Sequence, residues 1–228
     1  MKLLVFDTET TGLPPKSKTL NPEELHLWPY VVQFSYIVYD TETHCIIKVK
    51  DDIIHIPIEM GQEVIDIHGI TNEMARASTS LIEDSLKEFY IDFEQVDKVI
   101  AHNFQFDWNM IQIELMRLII REKPHNEGDL YVSILKTIQQ MSSENIYCTM
   151  TNSTALCDLK MRSKFGKEFV KFPKLSELHY KLFGLMPRNL HNSLNDVVIC
   201  LRCYYKLVFD ADILDKSVEI NELFLELV

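Results

Sequence analysis

The sequence predicts an α/β fold in which a mixed five-stranded sheet is flanked by helices. Three short apolar or alternating runs lie within the first fifty residues, and later short apolar runs are separated by amphipathic stretches with helical spacing. Strands that alternate with helices are typical of α/β proteins. With 228 residues, 46% of them hydrophobic, the chain can bury a core without disulfide bonds. We therefore expect a single domain over residues 1–228.

The predicted strands are short and rich in β-branched and aromatic residues. The first is a continuous apolar run, as expected for a strand buried on both faces. A turn at residues 40–44 joins the second and third, which predicts an N-terminal three-stranded meander. The predicted strands are residues 2–6, 31–39, 45–49, 98–101 and 147–150.

The predicted helices carry apolar residues at intervals of three and four. Ser80 and Glu83 have the spacing of a capping box, so we expect a helix to begin there. Asp107 opens the next helix. Further helices are predicted at residues 175–183, 193–209 and 212–227, and the buried stripe of the second of these is Leu194, Val197, Val198, Leu201, Tyr204 and Val208.

The formal net charge of −11 argues against a protein that coats nucleic acid through a basic surface. Residues 160–174 are an exception, because they carry six basic side chains and one acidic side chain. Such a segment could hold a phosphate backbone. It could equally be a solvated loop with ordinary lysines.

Five cysteines, an odd number, favour a reducing compartment over a disulfide framework. Cys200 and Cys203 form a C-x-x-C within a helical stretch, and no second close pair accompanies them, so we expect buried thiols rather than a zinc site. A charged residue ends the first apolar run too early for a signal peptide, and no apolar run approaches the roughly 18 residues that span a bilayer. We expect a soluble intracellular protein, in cytoplasm or nucleus, with no membrane partner.

Asp7 and Glu9 follow the first apolar run and, two residues apart, would project from the same face of a strand. Two carboxylates about 4 Å apart repel by roughly 1 kcal/mol in water and about 4 kcal/mol near a protein surface. The pair therefore predicts half of a metal site. Asp107 and Asp196 also lie where a helix begins, but each alone could serve its helix terminus, Asp196 as an acidic partner of Ser193.

Three segments together resemble the motifs of DEDDh-type 3′–5′ exonucleases, the DnaQ-like (RNase T) superfamily that includes polymerase proofreading subunits. They are residues 6–13 (FDTETTGL), 102–107 (HNFQFD) and 191–196 (HNSLND), and the HGIT sequence at 68–71 resembles a further family loop. The resemblance covers residues 2–207 and implies a ribonuclease H-like fold. The loop at residues 14–28 is longer than in compact members, and residues 128–154 are extra material before the third motif.

This resemblance implies a phosphodiester hydrolase with two Mg²⁺ ions, which Mn²⁺ could replace. Carboxylate oxygens are hard ligands that favour these ions over zinc. Two such ions can flank a scissile phosphate, one activating water and the other stabilising the leaving 3′ oxygen. The resemblance assigns Asp7, Glu9 and Asp196 to one ion, and Asp7 with Asp107 to the other. It makes His191 the general base rather than a ligand, because imidazole can accept a proton near neutral pH.

The resemblance also implies a pocket for the 3′-terminal nucleotide at Thr8, Thr10 and Leu13, with His68 and Phe104 nearby. Backbone amides of the threonines would hold the 3′-hydroxyl, and Leu13 or Phe104 would pack against bases. Both could instead be core residues. His102 could either contact substrate or support the residues that do.

The function that follows is 3′–5′ exonuclease activity on single-stranded or frayed DNA. Two alternatives stay open. The first is RNA trimming, since acids that bind a phosphate do not read a 2′-hydroxyl. The second is a noncatalytic module that uses residues 160–174 to hold nucleic acid or a polymerase. Any proofreading role would require a polymerase in trans.

Overall fold

The computed structural model describes residues 1–16, 20–122 and 128–227. At its centre lies a five-stranded sheet with the order β3-β2-β1-β4-β5. Strands β1, β2 and β3 are antiparallel, whereas β1, β4 and β5 are parallel. The bounds are β1 Lys2–Thr10, β2 Val31–Asp40, β3 Cys45–Ile53, β4 Lys98–Ala101 and β5 Ile146–Cys148. The predicted mixed five-stranded sheet is confirmed.

Helices surround this sheet, and a small hairpin stands apart from it. The helices are α1 Gln62–His68, α2 Asn72–Ala77, α3 Ile82–Phe93, α4 Phe104–Glu122, α5 Gly128–Gln139, α6 Thr149–Cys157, α7 Leu175–Phe183, α8 Ser193–Phe209 and α9 Val218–Leu227. Short 3₁₀ turns lie at Pro22–Leu27, Ser143–Asn145 and Ile213–Asp215. The hairpin consists of β6 Lys160–Arg162 and β7 Glu168–Val170.

Helices cover both faces of the sheet. Side chains alternate between these faces along each strand, so each strand contributes to two cores. Leu4 and Phe6 of β1 join a core formed with α3, α4 and α5. Leu3 and Val5 join a second core, formed with α7, α8 and α9. The ring of Phe6 packs edge-on against Phe104 at the start of α4, with 5.6 Å between centroids. These contacts fix α4, on one face, and α8, on the other face, against β1.

Strand β1 is longer than predicted. It pairs with β2 along its whole length, from Lys2 opposite Asp40 to Thr10 opposite Val31. Asp7 and Glu9 therefore lie within the strand rather than after it. The fifth strand, by contrast, is one residue shorter than predicted and ends at Cys148, because the short β4 offers it only three paired positions.

The predicted capping box at α3 is wrong. The residue before the helix is Leu81, which makes no side-chain capping bond. Ser80 instead pairs with Ile54 beyond the end of β3, and its hydroxyl donates to Asp52 at 3.3 Å. Extension of the sheet edge holds Ser80 away from the helix terminus.

Helices α7 and α8 have the predicted bounds. Val208 does not belong to the buried stripe of α8, since it is 43% exposed near the helix end. The predicted helix at 212–227 is interrupted, because Asp212 accepts from Leu214 N to cap a 3₁₀ turn and Ser217 Oγ accepts from Ile220 N to begin α9. Helices α1, α2, α5 and α6 and the β6–β7 hairpin were not predicted.

Cys200 and Cys203 are buried free thiols in α8, as predicted. Cys157 is also buried, whereas Cys45 is exposed. Within the described ranges, no helix is long and apolar enough to cross a membrane.

Candidate active site

Strand β1 carries the first two acids of the site. Burial alternates along its end, so that Thr8 and Thr10 are buried while Asp7 and Glu9 are only partly covered. Glu9 lies opposite Gln33 of β2 in the strand register. The prediction that Asp7 and Glu9 share one face of a strand is confirmed by this alternation.

Helix α4 brings Asp107 to the same end of β1. The chain reverses after β4 through Asn103, whose φ of 65° is left-handed. Asp107 then lies in the first turn of α4, where it is 2% exposed. Its Oδ1 accepts hydrogen bonds from the backbone N–H of Thr8 at 3.1 Å and from the Thr8 hydroxyl at 2.7 Å. Asp107 thus binds to β1 rather than capping its own helix.

Helix α8 is held against the sheet at the turn that supplies Asp196. The Ser193 hydroxyl donates to the Asp7 carbonyl at 2.7 Å, and the Ser193 N–H donates to Gln33 Oε1 at 3.1 Å. The N-cap is Asn192, whose side chain accepts from Asn195 N. The alternative in which Asp196 is an N3 partner of a Ser193 cap is therefore wrong.

His191 lies beside these acids. A ring nitrogen of His191 and carboxylate oxygens of Glu9 and Asp196 all lie within 4.8 Å of one another. The backbone of His191 is left-handed, with φ of 67°, and so is that of Asn189, with φ of 51°. Such conformations cost energy in residues other than glycine and cluster at functional sites.

Burial raises the pKa of all four acids and so favours their protonation, and repulsion by neighbouring carboxylates adds to the effect at Glu9, Asp107 and Asp196. Burial raises the pKa of Asp7 to about 7. Burial, with the charges of Asp7 and Asp196, raises the pKa of Glu9 to about 9. Burial and Asp7 raise the pKa of Asp196 to about 8 and that of Asp107 well above its usual range. A divalent cation would replace these protons, since opposite charge stabilises carboxylates.

The oxygen atoms at the site are suitable ligands for such a cation. Asp196 Oδ1 is buried and has no hydrogen-bond partner among the described residues. A buried oxygen without a partner is costly and calls for a ligand. The neighbouring donors are carboxylate oxygens, which bind Mg²⁺ or Mn²⁺.

A cleft of about 670 Å³ opens onto the acids. Thr8 and Leu13 line it, and Leu13 is 86% exposed. The Thr8 N–H is already bonded to Asp107. Thr10 does not line the cleft, and its hydroxyl donates to the Gly12 carbonyl. The substrate roles given to these residues stay predictions.

Two other predicted substrate residues lie away from this cleft. Phe104 is 5% exposed and its ring packs against those of Phe6 and Trp108 in the core. His68 is buried, lines a neighbouring depression with His191, and has an Nε2 without a hydrogen-bond partner among the described residues. Their contacts with substrate also stay predictions.

His102 has a supporting geometry. Its Nε2 lies 3.1 Å from the Pro173 carbonyl, and its Nδ1 lies 2.9 Å from the Thr149 hydroxyl. Because a carbonyl only accepts, Nε2 carries the proton and Nδ1 accepts from Thr149. Burial lowers the pKa of His102 to about 4, so the ring is neutral.

Sequence reasoning missed several residues of the site. Gln33 and Ser193 join β2, β1 and α8, and Phe106, Met150 and Phe172 line the cleft. Gln33 could have been found as a polar residue inside an apolar strand, and Ser193 lies within the 191–196 motif. The cleft residues come from helices and loops whose approach depends on tertiary packing.

Comparisons with known proteins identify a family and a shared fold. A family model described as exonuclease, RNase T, matches residues 4–204. The comparison with curated protein sequences found no match. Solved structures of Exonuclease I share the fold. An apo Exonuclease I has a TM-score of 0.58 and 17% identity, and the match covers 92% of this chain and 42% of that one.

Two further structures contain DNA. An E. coli Exonuclease I in complex with a dT13 oligonucleotide has a TM-score of 0.58 and 17% identity, and the match covers 90% of this chain and 41% of that chain. The zinc-bound form of an E. coli Exonuclease I complex with single-stranded DNA has a TM-score of 0.57 and 16% identity, with coverages of 91% and 41%. The chain spans about two fifths of the length of these relatives.

The family match covers most of the chain and includes the segments that supply Asp7, Glu9, Asp107, His191 and Asp196. The mixed five-stranded sheet flanked by helices agrees with the fold that the chain shares with the matched exonuclease structures. The resemblance to DnaQ-like exonucleases is therefore confirmed, and the chain belongs to the RNase T exonuclease family of the ribonuclease H-like fold.

Proposed function

We propose that this protein is a metal-dependent exonuclease that removes nucleotides from 3′ ends, with single-stranded or frayed DNA as its substrate. The observation that carries the proposal is the convergence of four carboxylates from β1, α4 and α8 at one cleft, with a histidine beside them. Carboxylates held this close together favour a bound divalent cation, because opposite charge stabilises their ionised form.

Asp7, Glu9 and Asp196 would hold one divalent ion, and Asp7 with Asp107 would hold the other. We assign Mg²⁺ to both, with Mn²⁺ as its substitute. When bound, such ions supply charge neutralisation at the scissile phosphate and make water a better nucleophile.

The chain itself orients these groups. The two hydrogen bonds from Thr8 hold Asp107, and the bond from Ser193 to the Asp7 carbonyl sets the distance between β1 and α8. His191 is exposed at the cleft, with its ring next to Glu9 and Asp196, where it can accept a proton from water. We assign it the role of general base.

DNA is favoured as substrate because the related E. coli Exonuclease I was solved with a dT13 oligonucleotide. RNA is the competing substrate, since nothing in the acid cluster reads a 2′-hydroxyl. A noncatalytic role is disfavoured, because all four acids are present and converge on one cleft. A polymerase partner stays a prediction.

The test is digestion of matched DNA and RNA strands that carry a label at the 5′ end. We expect a ladder of shortened, labelled DNA products in Mg²⁺ and none in EDTA. Immediate release of labelled mononucleotide would show that digestion proceeds from the 5′ end instead. Faster loss of the RNA strand would make the enzyme an exoribonuclease.

The variant Asp7→Ala should abolish this activity while the protein stays folded. Asp97→Ala is a matched control, because Asp97 is also acidic and adjoins β1 through a bond from Lys2 N, at the end remote from the acids. Equal activity of Asp7→Ala and wild type would refute the metal assignment.

A further inference from the structure

The β6–β7 hairpin and the segment that leads from it to Lys174 form an exposed projection. We call residues 160–174 the basic hairpin. All six strand residues are exposed, and the hairpin belongs to a sheet separate from the central one. Its turn is well defined, because Ser163 N donates to Lys167 O at 2.8 Å and Gly166 adopts a left-handed φ of 79°. This geometry presents the turn residues to solvent.

The base of the basic hairpin is part of the candidate active site. Pro173 accepts a hydrogen bond from His102, the residue that follows β4. Phe172, Pro173 and Lys174 line the same cleft as the four acids. A strand that leaves the cleft on this side therefore meets the hairpin next.

Large apolar side chains on the basic hairpin are uncovered. Phe165, in the turn, is 97% exposed, and Phe172, near the cleft, is 59% exposed. Met161 lies directly opposite Phe169 in the strand register, so their side chains share one face. Met161 and Phe169 are 47% and 45% exposed. Aromatic rings exposed beside a catalytic cleft are suited to stacking on bases.

Charge on the basic hairpin opposes that of the rest of the molecule. Six basic residues and one acidic residue lie in this segment, whereas the whole chain has a net charge of −11. Arg162 pairs with Glu168, and Lys171 pairs with Glu177. Lys164 and Lys167 make no ion pair with any described residue. These two lysines are therefore available to an anionic ligand.

From this juxtaposition of exposed aromatic rings, unpaired lysines and the catalytic cleft, we propose that the basic hairpin grips the single-stranded nucleic acid 5′ of the scissile phosphate. The proposal rests on the proposed function, since it places the remainder of the same substrate. Phosphates would contact Lys164 and Lys167, and an unpaired base would stack on Phe165.

The charge of the molecule explains why such a grip is needed. A polyanion that approaches four carboxylates in a protein of net charge −11 is repelled at long range. A local cluster of lysines offsets that repulsion where the strand leaves the cleft. Single strands fit better than duplexes, because stacking on Phe165 requires a base whose face is free.

The test compares two hairpin variants with a matched control. The first variant is the double substitution Lys164→Gln/Lys167→Gln, and the second is Phe165→Ala. The control, Lys136→Gln/Lys216→Gln, removes two exposed lysines from α5 and from the turn before α9. Binding of a fluorescent single strand of about 20 nucleotides is measured by anisotropy in Ca²⁺ over a series of salt concentrations.

Each contacted phosphate contributes about 0.7 to the slope of log affinity against log salt for a single strand. The double lysine variant should therefore show a slope smaller by about 1.4, with the control unchanged. Phe165→Ala should weaken binding by about fivefold or more at every salt concentration without changing the slope, because stacking is not ionic. The KM for degradation of the same strand should rise in parallel in both variants.

The outcomes separate the two proposals. If wild type degrades no strand in Mg²⁺, the proposed function fails. A different result is that wild type degrades the strand while both hairpin variants bind it with the wild-type affinity and the wild-type salt dependence. That result would refute the grip, and the exposed hairpin would then be a surface for a protein partner. Circular dichroism of each variant checks that the fold is retained.

Discussion

At the residue scale, the candidate site is a set of acids held close together at the cost of electrostatic repulsion. Burial and the charge of Asp7 raise the pKa of Glu9, Asp107 and Asp196. Hydrogen bonds from uncharged groups, such as those from Thr8 to Asp107, hold the acids in position, a role that positively charged groups could otherwise fill. We expect such an arrangement to reduce stability until a cation binds.

Asp107→Asn should raise stability while removing activity. A carboxyl whose pKa is raised in the folded state holds its proton longer there than in the unfolded chain, so without metal it destabilises the fold as pH rises above the usual carboxyl range. The amide keeps both acceptor bonds to Thr8 and carries no charge.

In EDTA at slightly alkaline pH, we expect Asp107→Asn to melt at a higher temperature than wild type, with a smaller increase when Mg²⁺ is added. Exonuclease activity should fall by at least about 100-fold, equivalent to about 2.7 kcal/mol in the barrier. A lower melting temperature in EDTA would contradict the electrostatic account. Differential scanning fluorimetry over a pH series provides the measurement.

Gln33 is predicted to position α8 without touching substrate. Its Oε1 accepts from Ser193 N, while its Nε2 donates to Asp51 at 2.7 Å. Gln33→Met keeps the volume but leaves the buried Ser193 N–H without a partner, at a cost of about 1–3 kcal/mol. We expect kcat to fall with little change in KM, because Asp196 moves relative to β1.

Ser35→Ala is the matched control for Gln33→Met. The Ser35 hydroxyl also donates to Asp51 at 2.7 Å, but Ser35 has no bond to α8. Its loss should leave kcat near wild type. Equal loss of kcat in both variants would show that general damage to β2, and not the link to Ser193, is responsible.

At the element scale, Arg202 joins three helices. It lies on α8, is 7% exposed, and donates to Asp212 at 2.5 Å. Its guanidinium also lies over the rings of Phe183 at the end of α7, at 4.0 Å, and Phe224 on α9, at 4.7 Å. Arg202 therefore helps to hold the C-terminal helix against α7 and α8.

Arg202→Met should destabilise the protein by about 3 kcal/mol, because Asp212 loses its partner in a mostly buried site. The melting temperature should fall by roughly 6 °C or more. The control Arg76→Met removes a cation from exposed pairs with Glu59 and Glu73 and should have almost no effect. Equal melting temperatures of the two variants would reject the anchoring role.

The elements that the sequence predicted well have a clear buried face. Helices α7 and α8 have the predicted bounds because their apolar stripes are buried in the second core. The β6–β7 hairpin has no buried strand residue, so no periodicity revealed it. The start of α3 was misplaced because pairing of Ser80 with Ile54 outweighs a local capping pattern.

At the scale of the whole molecule, motif order predicted which acids meet but not what holds them. Asp7, Asp107 and Asp196 come from distant parts of the sequence, and the family resemblance brought them together. The bonds from Thr8 to Asp107 and from Ser193 N to Gln33 depend on strand register and helix approach, which single residues do not encode. That residues 1–228 form one exonuclease domain stays a prediction.

The central claim is that Asp7, Glu9, Asp107 and Asp196 together bind the divalent ions on which hydrolysis depends. Its most direct measurement is the anomalous difference density of a crystal soaked in Mn²⁺, collected from a preparation that degrades a labelled strand. We expect manganese peaks among these four carboxylates, and their loss in Asp7→Ala. An active preparation whose crystals hold no manganese at the four acids would contradict the account.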